Sequence, residues 1–260
     1  VSTKVERGNR VFPVSDKAVD IVDALVKTAK SGGSKLINGQ AEEIIVKDGA
    51  VTGVKLSDGG VLEADSVILA TGGKAAPDTG SCGSGYSLCK MMGHSLTDVF
   101  PSLVQIKTKG GFTKSLKGIK IDSKISMGKK SFFGELLFCD YGISGPPVFS
   151  LSSHILETGK KSILIDFMPE YSKEDVSLML RKRKNLGVNL ENYFVGMLNK
   201  RLGMALLKYC DILPLSRPVE SLTDNEIMKI CDAVKNLELE IDGTLSWNNA
   251  QVTKGGVETF

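Results

Sequence analysis

The sequence predicts an α/β fold joined to a part that is first β-rich and then helical. Three observations carry that prediction. An amphipathic helix precedes three β-rich runs separated by Asp-Gly turns. A continuous apolar run then ends in glycines, and past Pro101 short alternating strands give way to well-capped helices.

Taken in order, Ala18, Ile21, Val22, Leu25 and Ala29 recur at three and four residues, which predicts the first helix. Ser15 reads as its N-cap and Gly32-Gly33 as its end. Lys35 to Ile37 reads as a short strand. Ala41–Lys47, Ala50–Leu56 and the run from Val61 follow, joined by Asp48-Gly49 and Asp58-Gly59, and read as a three-stranded meander. It finishes in Ser66-Val67-Ile68-Leu69-Ala70, a run of the kind buried on both faces in parallel sheets. A short helix is expected from Ser84 or Tyr86 to Met92, stopped by Gly93.

Leu103 to Thr108 reads as a strand, and Ile119, Ile121, Ile125 and Met127 alternate as in a strand with one wet face. Glu135–Cys139 and Ser162–Phe167 are two further strands. Between them, Pro146-Pro147 suits the first positions of a helix running to about Glu157. Ser172 caps a helix that has Glu174 and Asp175 in its first turn, where the dipole favours acids. Leu190–Cys210 is helical, with a break near Gly203. Thr223 and Glu226 form a capping box for a helix ending near Asn236. Leu237, Leu239 and Ile241 make a closing strand before Asp242-Gly243. The expected division is 1–104, 105–249 and a short return at 250–260.

Composition narrows the class of function. With 42% hydrophobic and 24% charged residues among 260, collagen-like and disordered chains are excluded. A net charge of +3 predicts neither a nucleic-acid footprint nor an acidic partner. No apolar run reaches the roughly 18 residues of a membrane span, and Val1–Arg10 has no signal-peptide core. Five cysteines without a C-x-x-C pair, and only two histidines, point to a reducing cytoplasm rather than a disulfide or zinc scaffold. G-x-S-x-G, H-E-x-x-H and Walker motifs are all missing, so hydrolase chemistry has no support.

The features that could carry chemistry are few. The strand exit at Ala70-Thr71-Gly72-Gly73 would let backbone approach a ligand at the carboxyl end of a strand, or would simply turn the chain. Gly80-Ser81-Cys82-Gly83-Ser84-Gly85 leads into a helix as an anion-binding loop does, although its spacing is not the dinucleotide fingerprint. Arg181-Lys182-Arg183-Lys184 reads as a solvated helix end, and 6% aromatic content gives it no stacking partners for nucleic acid. His94 reads as a cap, Cys82 and Cys89 as buried inert thiols, and Trp247-Asn248-Asn249 as packing and turn residues.

Together these segments resemble the BaiN/RdsA-type FAD-dependent oxidoreductases of the glutathione-reductase-like superfamily, to which the aminoacetone-oxidase type is similar. The resemblance rests on Arg10-Val11-Phe12-Pro13-Val14-Ser15-Asp16-Lys17-Ala18, with Asn9 where glycine is usual, and on Ala70–Gly73 and Pro77–Tyr86. It continues through Gly93-His94, Pro101–Val104, Gly134–Phe138, Gly142–Pro146 and Val252–Val257, in the family's order. It implies a partial FAD-binding domain with an inserted β-barrel and helical-bundle domain at 105–249 that covers the substrate side.

The implied cofactor is FAD, with NADH, NADPH or oxygen left open as redox partner and a small molecule as substrate. The resemblance places the Ala41 backbone at the adenine, and Ala70, Thr71, Gly72 and Gly73 along the adenosine and pyrophosphate. It places Arg10, Phe12, Pro13 and Lys17 near the flavin, flanked by Gly83 and Gly85, with Gly255 and Gly256 approaching from the returning end. Arg10 and Lys17 are candidate stabilisers of negative charge on the flavin; no catalytic side chain is assigned.

The family's opening strand, G-x-G-x-x-G and helix, about 30 residues, do not occur here, nor does its closing G-E-x-x-D-x-x-G segment. The expectation is therefore the middle of such an enzyme, inactive by itself, with an exposed sheet edge open to self-association. Two rival readings are a non-catalytic module on a flavoprotein scaffold and a nucleic-acid-binding barrel that uses the Arg181–Lys184 helix.

Overall fold

The computed structural model describes residues 1–6, 9–155 and 161–259 and divides the chain into two units, Val1–Ile68 and Leu69–Phe260. In the first, β1 (Thr3–Glu6) and β2 (Arg10–Pro13) pair antiparallel. Helix α1 (Ala18–Ser31) follows, with Lys17 rather than Ser15 as N-cap. Asp16 at φ +55° separates Ser15 from the helix, and the Ser15 hydroxyl donates instead to the Asp20 carboxylate. The meander forms as expected from β3 (Ala41–Lys47), β4 (Ala50–Leu56) and β5 (Val61–Glu63).

Two expected strands of this region are not formed. Among the described residues Lys35–Ile37 has no neighbour to pair with, and Leu36 and Ile37 lie exposed. Ser66–Ala70 is also irregular, with Ile68 92% exposed. A strand buried on both faces needs strands beside it and a layer over each face, and among the described residues nothing pairs with it. Gly53 is the sole buried residue described in residues 1–68, and the apolar stripe of α1 (Val19, Val22, Leu25) faces solvent.

The second unit is built on a closed six-stranded antiparallel barrel of order β10-β7-β12-β11-β8-β9. Its strands are β7 (Ile106–Thr108), β8 (Lys120–Met127), β9 (Lys130–Phe138), β10 (Gly142–Ser144), β11 (Ser162–Asp166) and β12 (Leu237–Thr244). Period-two patterning fills the interior: Ile125, Met127, Leu136, Phe138, Ile163, Ile165, Leu237 and Leu239 are all buried. The strand expected at Leu103–Thr108 is shortened to its second half, and a separate strand precedes it. Leu103 turns the chain at φ +49°, so β6 (Phe100–Ser102) pairs with β13 (Val252–Lys254) outside the barrel, and only β7 enters it. β9 starts earlier than expected because Phe132-Phe133 breaks the alternation; Phe133 points outward and is exposed.

Short helices α2 (Gly85–Met91), α3 (Phe112–Ser115) and α4 (Pro146–Ser152) decorate this frame. The continuation of α4 toward Glu157 lies outside the described residues. Three longer helices follow: α5 (Lys173–Lys182), α6 (Lys200–Tyr209) and α7 (Asp224–Asn236). Ser172 and Thr223 make reciprocal capping boxes with Asp175 and Glu226; the sequence predicts the second box and, at Ser172, the cap alone. Gly203 does not break its helix. It is buried inside α6, where a Cβ would lie 2.6 Å from Phe194 Cβ, and the true start is the Asn199 cap. Val176, Leu180, Phe194, Leu202, Leu206, Ile227 and Val234 continue the barrel's own core, so barrel and helices share one interior.

The second box has a pH signature. Arg217 holds the Glu226 carboxylate at 3.0 Å, and that hydrogen bond, reinforced by Thr223, keeps the acid below the ordinary glutamate range. The folded state therefore binds fewer protons than the unfolded one. The stabilisation is present above the unfolded glutamate pKa and lost as pH falls through the depressed value. Glu226→Gln is expected to flatten the acid limb of a stability–pH curve; an unchanged acid limb in urea titrations would contradict it.

Candidate functional site

Three distant stretches meet in the second unit: residues 70–75, 81–86 and 252–256. Thr253 is the joint. Its Oγ1 accepts hydrogen bonds from the backbone of Lys74 (2.7 Å) and Ala75 (3.0 Å). That approach requires glycine at 73, where a Cβ would stand 2.4 Å from the Thr253 hydroxyl and 3.1 Å from the Tyr86 phenol. The Ser81 hydroxyl donates to the Gly73 carbonyl at 2.9 Å, which ties the second stretch to the first.

The other glycines of the loop serve equally close contacts. A Cβ on Gly85 would lie 2.1 Å from Thr71 Oγ1, and one on Gly83, at φ +79°, would meet Lys74 Cγ at 2.7 Å. Gly255 (φ +84°) passes the Asp98 carbonyl so closely that a Cβ would be 2.1 Å from it, and Gly256 exchanges hydrogen bonds with Thr97. The space these glycines leave is thus filled by the protein's own chain.

Beside them opens a cavity of about 340 Å³ lined by Lys74, Gly83, Tyr86, Ser87, Lys90 and residues 96–99. Lys74 and Lys90 have no ion pair among the described residues, and Asp98 is the sole acid on the wall. The backbone N–H groups of Thr71, Gly72 and Gly73 are likewise without acceptors among the described residues. Unpaired lysines and open amides suit an anionic, phosphate-bearing ligand, so the donor set present fits a dinucleotide cofactor.

The first unit carries the remaining predicted residues. Arg10, Phe12 and Pro13 lie on β2, with the Arg10 guanidinium 5.9 Å from the centroid of the Phe12 ring. Lys17 is the exposed N-cap of α1, and Ala41 opens β3 opposite Leu56. Sequence reasoning missed Lys74, Tyr86, Lys90 and Thr253. Thr253 was legible within Val-Thr-Lys-Gly-Gly-Val, but its partners 178 and 179 residues away were not.

Of the other readings, those of Cys82 and Arg183 are corrected and that of His94 as a cap holds. Cys82 is exposed, not buried, and hydrogen bonds from Ser84 hold its thiol below the usual range; Cys89 is half-buried. His94 closes α2 with its backbone N–H, on the Cys89 carbonyl at 3.0 Å. In the basic run, Arg181 pairs with Asp224 at the surface, and half-buried Arg183 donates to the carbonyls of Tyr193 (2.6 Å) and Val195, so two of its four cations are engaged within the chain. No helix among the described residues is long and apolar enough to cross a membrane.

Comparison with known proteins adds the family. A family described as the HI0933-like protein barrel and H2TH domain matches residues 100–252. The chain is 34% identical to the 3-dehydro-bile acid delta(4,6)-reductase of Clostridium scindens, over 97% of the chain and 64% of that protein. It is 26% and 27% identical to the ribosomal RNA dihydrouridine synthases of Haemophilus influenzae and Escherichia coli, covering 61% and 60% of those proteins. The chain thus spans less than two thirds of the length of the curated relatives it matches.

Proposed function

The chain belongs to the HI0933-like family of FAD-dependent oxidoreductases, and on that premise we propose that it serves a flavin-dependent reductase acting on a small organic substrate, with NADH or NADPH as reductant. One observation carries this reading: residues 70–75, 81–86 and 252–256 meet beside a cavity whose wall sets Lys74 and Lys90 against a single acid, Asp98. FAD, when bound, would carry the hydride between reductant and substrate. The chain's own residues would bind and orient it. Lys74 and Lys90 would neutralise phosphate, and the amides of Thr71 to Gly73 would donate to it.

In this reading residues 1–104 and 250–260 form part of the FAD-binding domain and 105–249 the domain over the substrate. The name of the Clostridium scindens relative supports a small organic substrate. The two ribosomal RNA relatives support a second reading with RNA as substrate. The small molecule is favoured because the net charge is only +3 and Arg181 and Arg183 are already engaged.

The test is a visible spectrum of the whole gene product after incubation with FAD and desalting. Retained flavin bands that bleach anaerobically with NADH or NADPH are expected, and a colourless protein would overturn the reading. The 260-residue chain by itself is expected to lose FAD, because residues 1–68 bury so little. Retention of stoichiometric flavin would refute that part.

A further inference from the structure

We propose that the second unit carries another binding site, for a small organic cation with an apolar body, on the outer wall of the barrel. A cavity of about 470 Å³ lies there, between the start of β8, Phe133 of β9, the strap 167–171 and the turn 196–199. That volume falls within the range of small-molecule sites. None of its lining residues belongs to the glycine cluster described above.

Three independent features select the ligand. Phe133 and Tyr171 line the cavity 58% and 42% exposed, an arrangement that costs free energy in water and offers ring faces to a cation. Asp122 and Glu170 also line it, and neither has an ion pair among the described residues. Asp122 stands directly across the β8–β9 ladder from Glu135, and like charges so placed repel. Lys120, which also lines the cavity, pairs with Glu135 at 3.0 Å, and Asp122 and Glu170 keep no ion pair of their own among the described residues. A second cation seated beside Asp122 and Glu170 would relieve the remaining excess.

The strap is built in advance. Lys235, at the end of α7, pairs with Asp166 at 2.7 Å and donates to the carbonyls of Met168 (2.8 Å) and Tyr171. Asp166 in turn accepts from the Met168 N–H at 2.9 Å. With these side chains only 10% and 18% exposed, the wall holding Glu170 and Tyr171 needs little ordering when a ligand enters.

Calorimetric titration of the protein with phenylbutylamine, phenylbutanol and phenylbutyrate tests the site. The amine is expected to saturate in the sub-millimolar range, about tenfold tighter than the alcohol, with the carboxylate weakest. The double variant Asp122→Asn/Glu170→Gln should bring the amine to the level of the alcohol, and Tyr171→Ala should weaken both. Both acids are exposed, so an unchanged melting temperature is expected alongside. Equal binding of amine and alcohol, an unaffected double variant, or no saturation by the amine would each overturn the proposal.

Discussion

Gly142→Ala is expected to lower the melting temperature of the second unit by about 10 °C or more. Gly142 sits in β10 at φ +151°, a conformation in which an L side chain is strained. A Cβ there would lie 2.2 Å from the Ile106 carbonyl oxygen, 2.8 Å from Thr108 N and 3.0 Å from Lys107 Cα. All three are backbone atoms of β7, so no side-chain rotation relieves the overlap. β10 and β7 share two paired positions, and their junction is part of the ring that closes the barrel. Strain of about 1–3 kcal/mol and overpacking of about 1–3 kcal/mol act together, at roughly 2–4 °C per kcal/mol for a domain of this size. Gly111→Ala is the control, because its Cβ would meet open space at φ −99°. Calorimetric melting of both variants decides it: a Gly142→Ala protein within about 2 °C of wild type would show that the seam yields without cost.

Thr253→Val should loosen the candidate cofactor site while leaving the shape of the side chain intact. Valine keeps the β-branch but removes the hydroxyl oxygen that accepts from the Lys74 and Ala75 amides. Each buried N–H left without a partner costs about 1–3 kcal/mol; since these are partly buried, about 2 kcal/mol in total is expected. The effect reaches Gly73, which packs against Thr253, and Lys74, which lines the cavity. Amide exchange at 74–75 should accelerate, and in the whole gene product FAD should bind about tenfold more weakly. Thr253→Ser, which retains the hydroxyl, should restore both. Unchanged exchange and unchanged FAD affinity in Thr253→Val would remove this joint from the site.

How far the sequence could be read follows from the range of the interactions involved. The cap at Ser172 and the box at Thr223 were legible because cap and partner are three residues apart. The meander was legible because Asp48-Gly49 and Asp58-Gly59 turn locally, and β8, β11 and β12 because alternation is a property of consecutive residues. Failures occurred where a distant partner decides. Gly203 looks like a helix break until Phe194 is found packed against it, and Ser66–Ala70 looks like a buried strand until its lack of neighbours is seen. Arg183 looks like a solvated cation until the carbonyls of residues 193 and 195 are found beside it.

The same division applies to function. The order of short motifs along the chain determined the family and, through it, the expected flavin chemistry, since such motifs are contiguous. Closure of the barrel, the bond from Thr253 to a segment near residue 74, and the unpaired lysines and acids of the two cavities were decided by tertiary structure alone. Pairing across more than a hundred residues leaves no local periodicity, and whether a charge is answered depends on what the fold brings beside it.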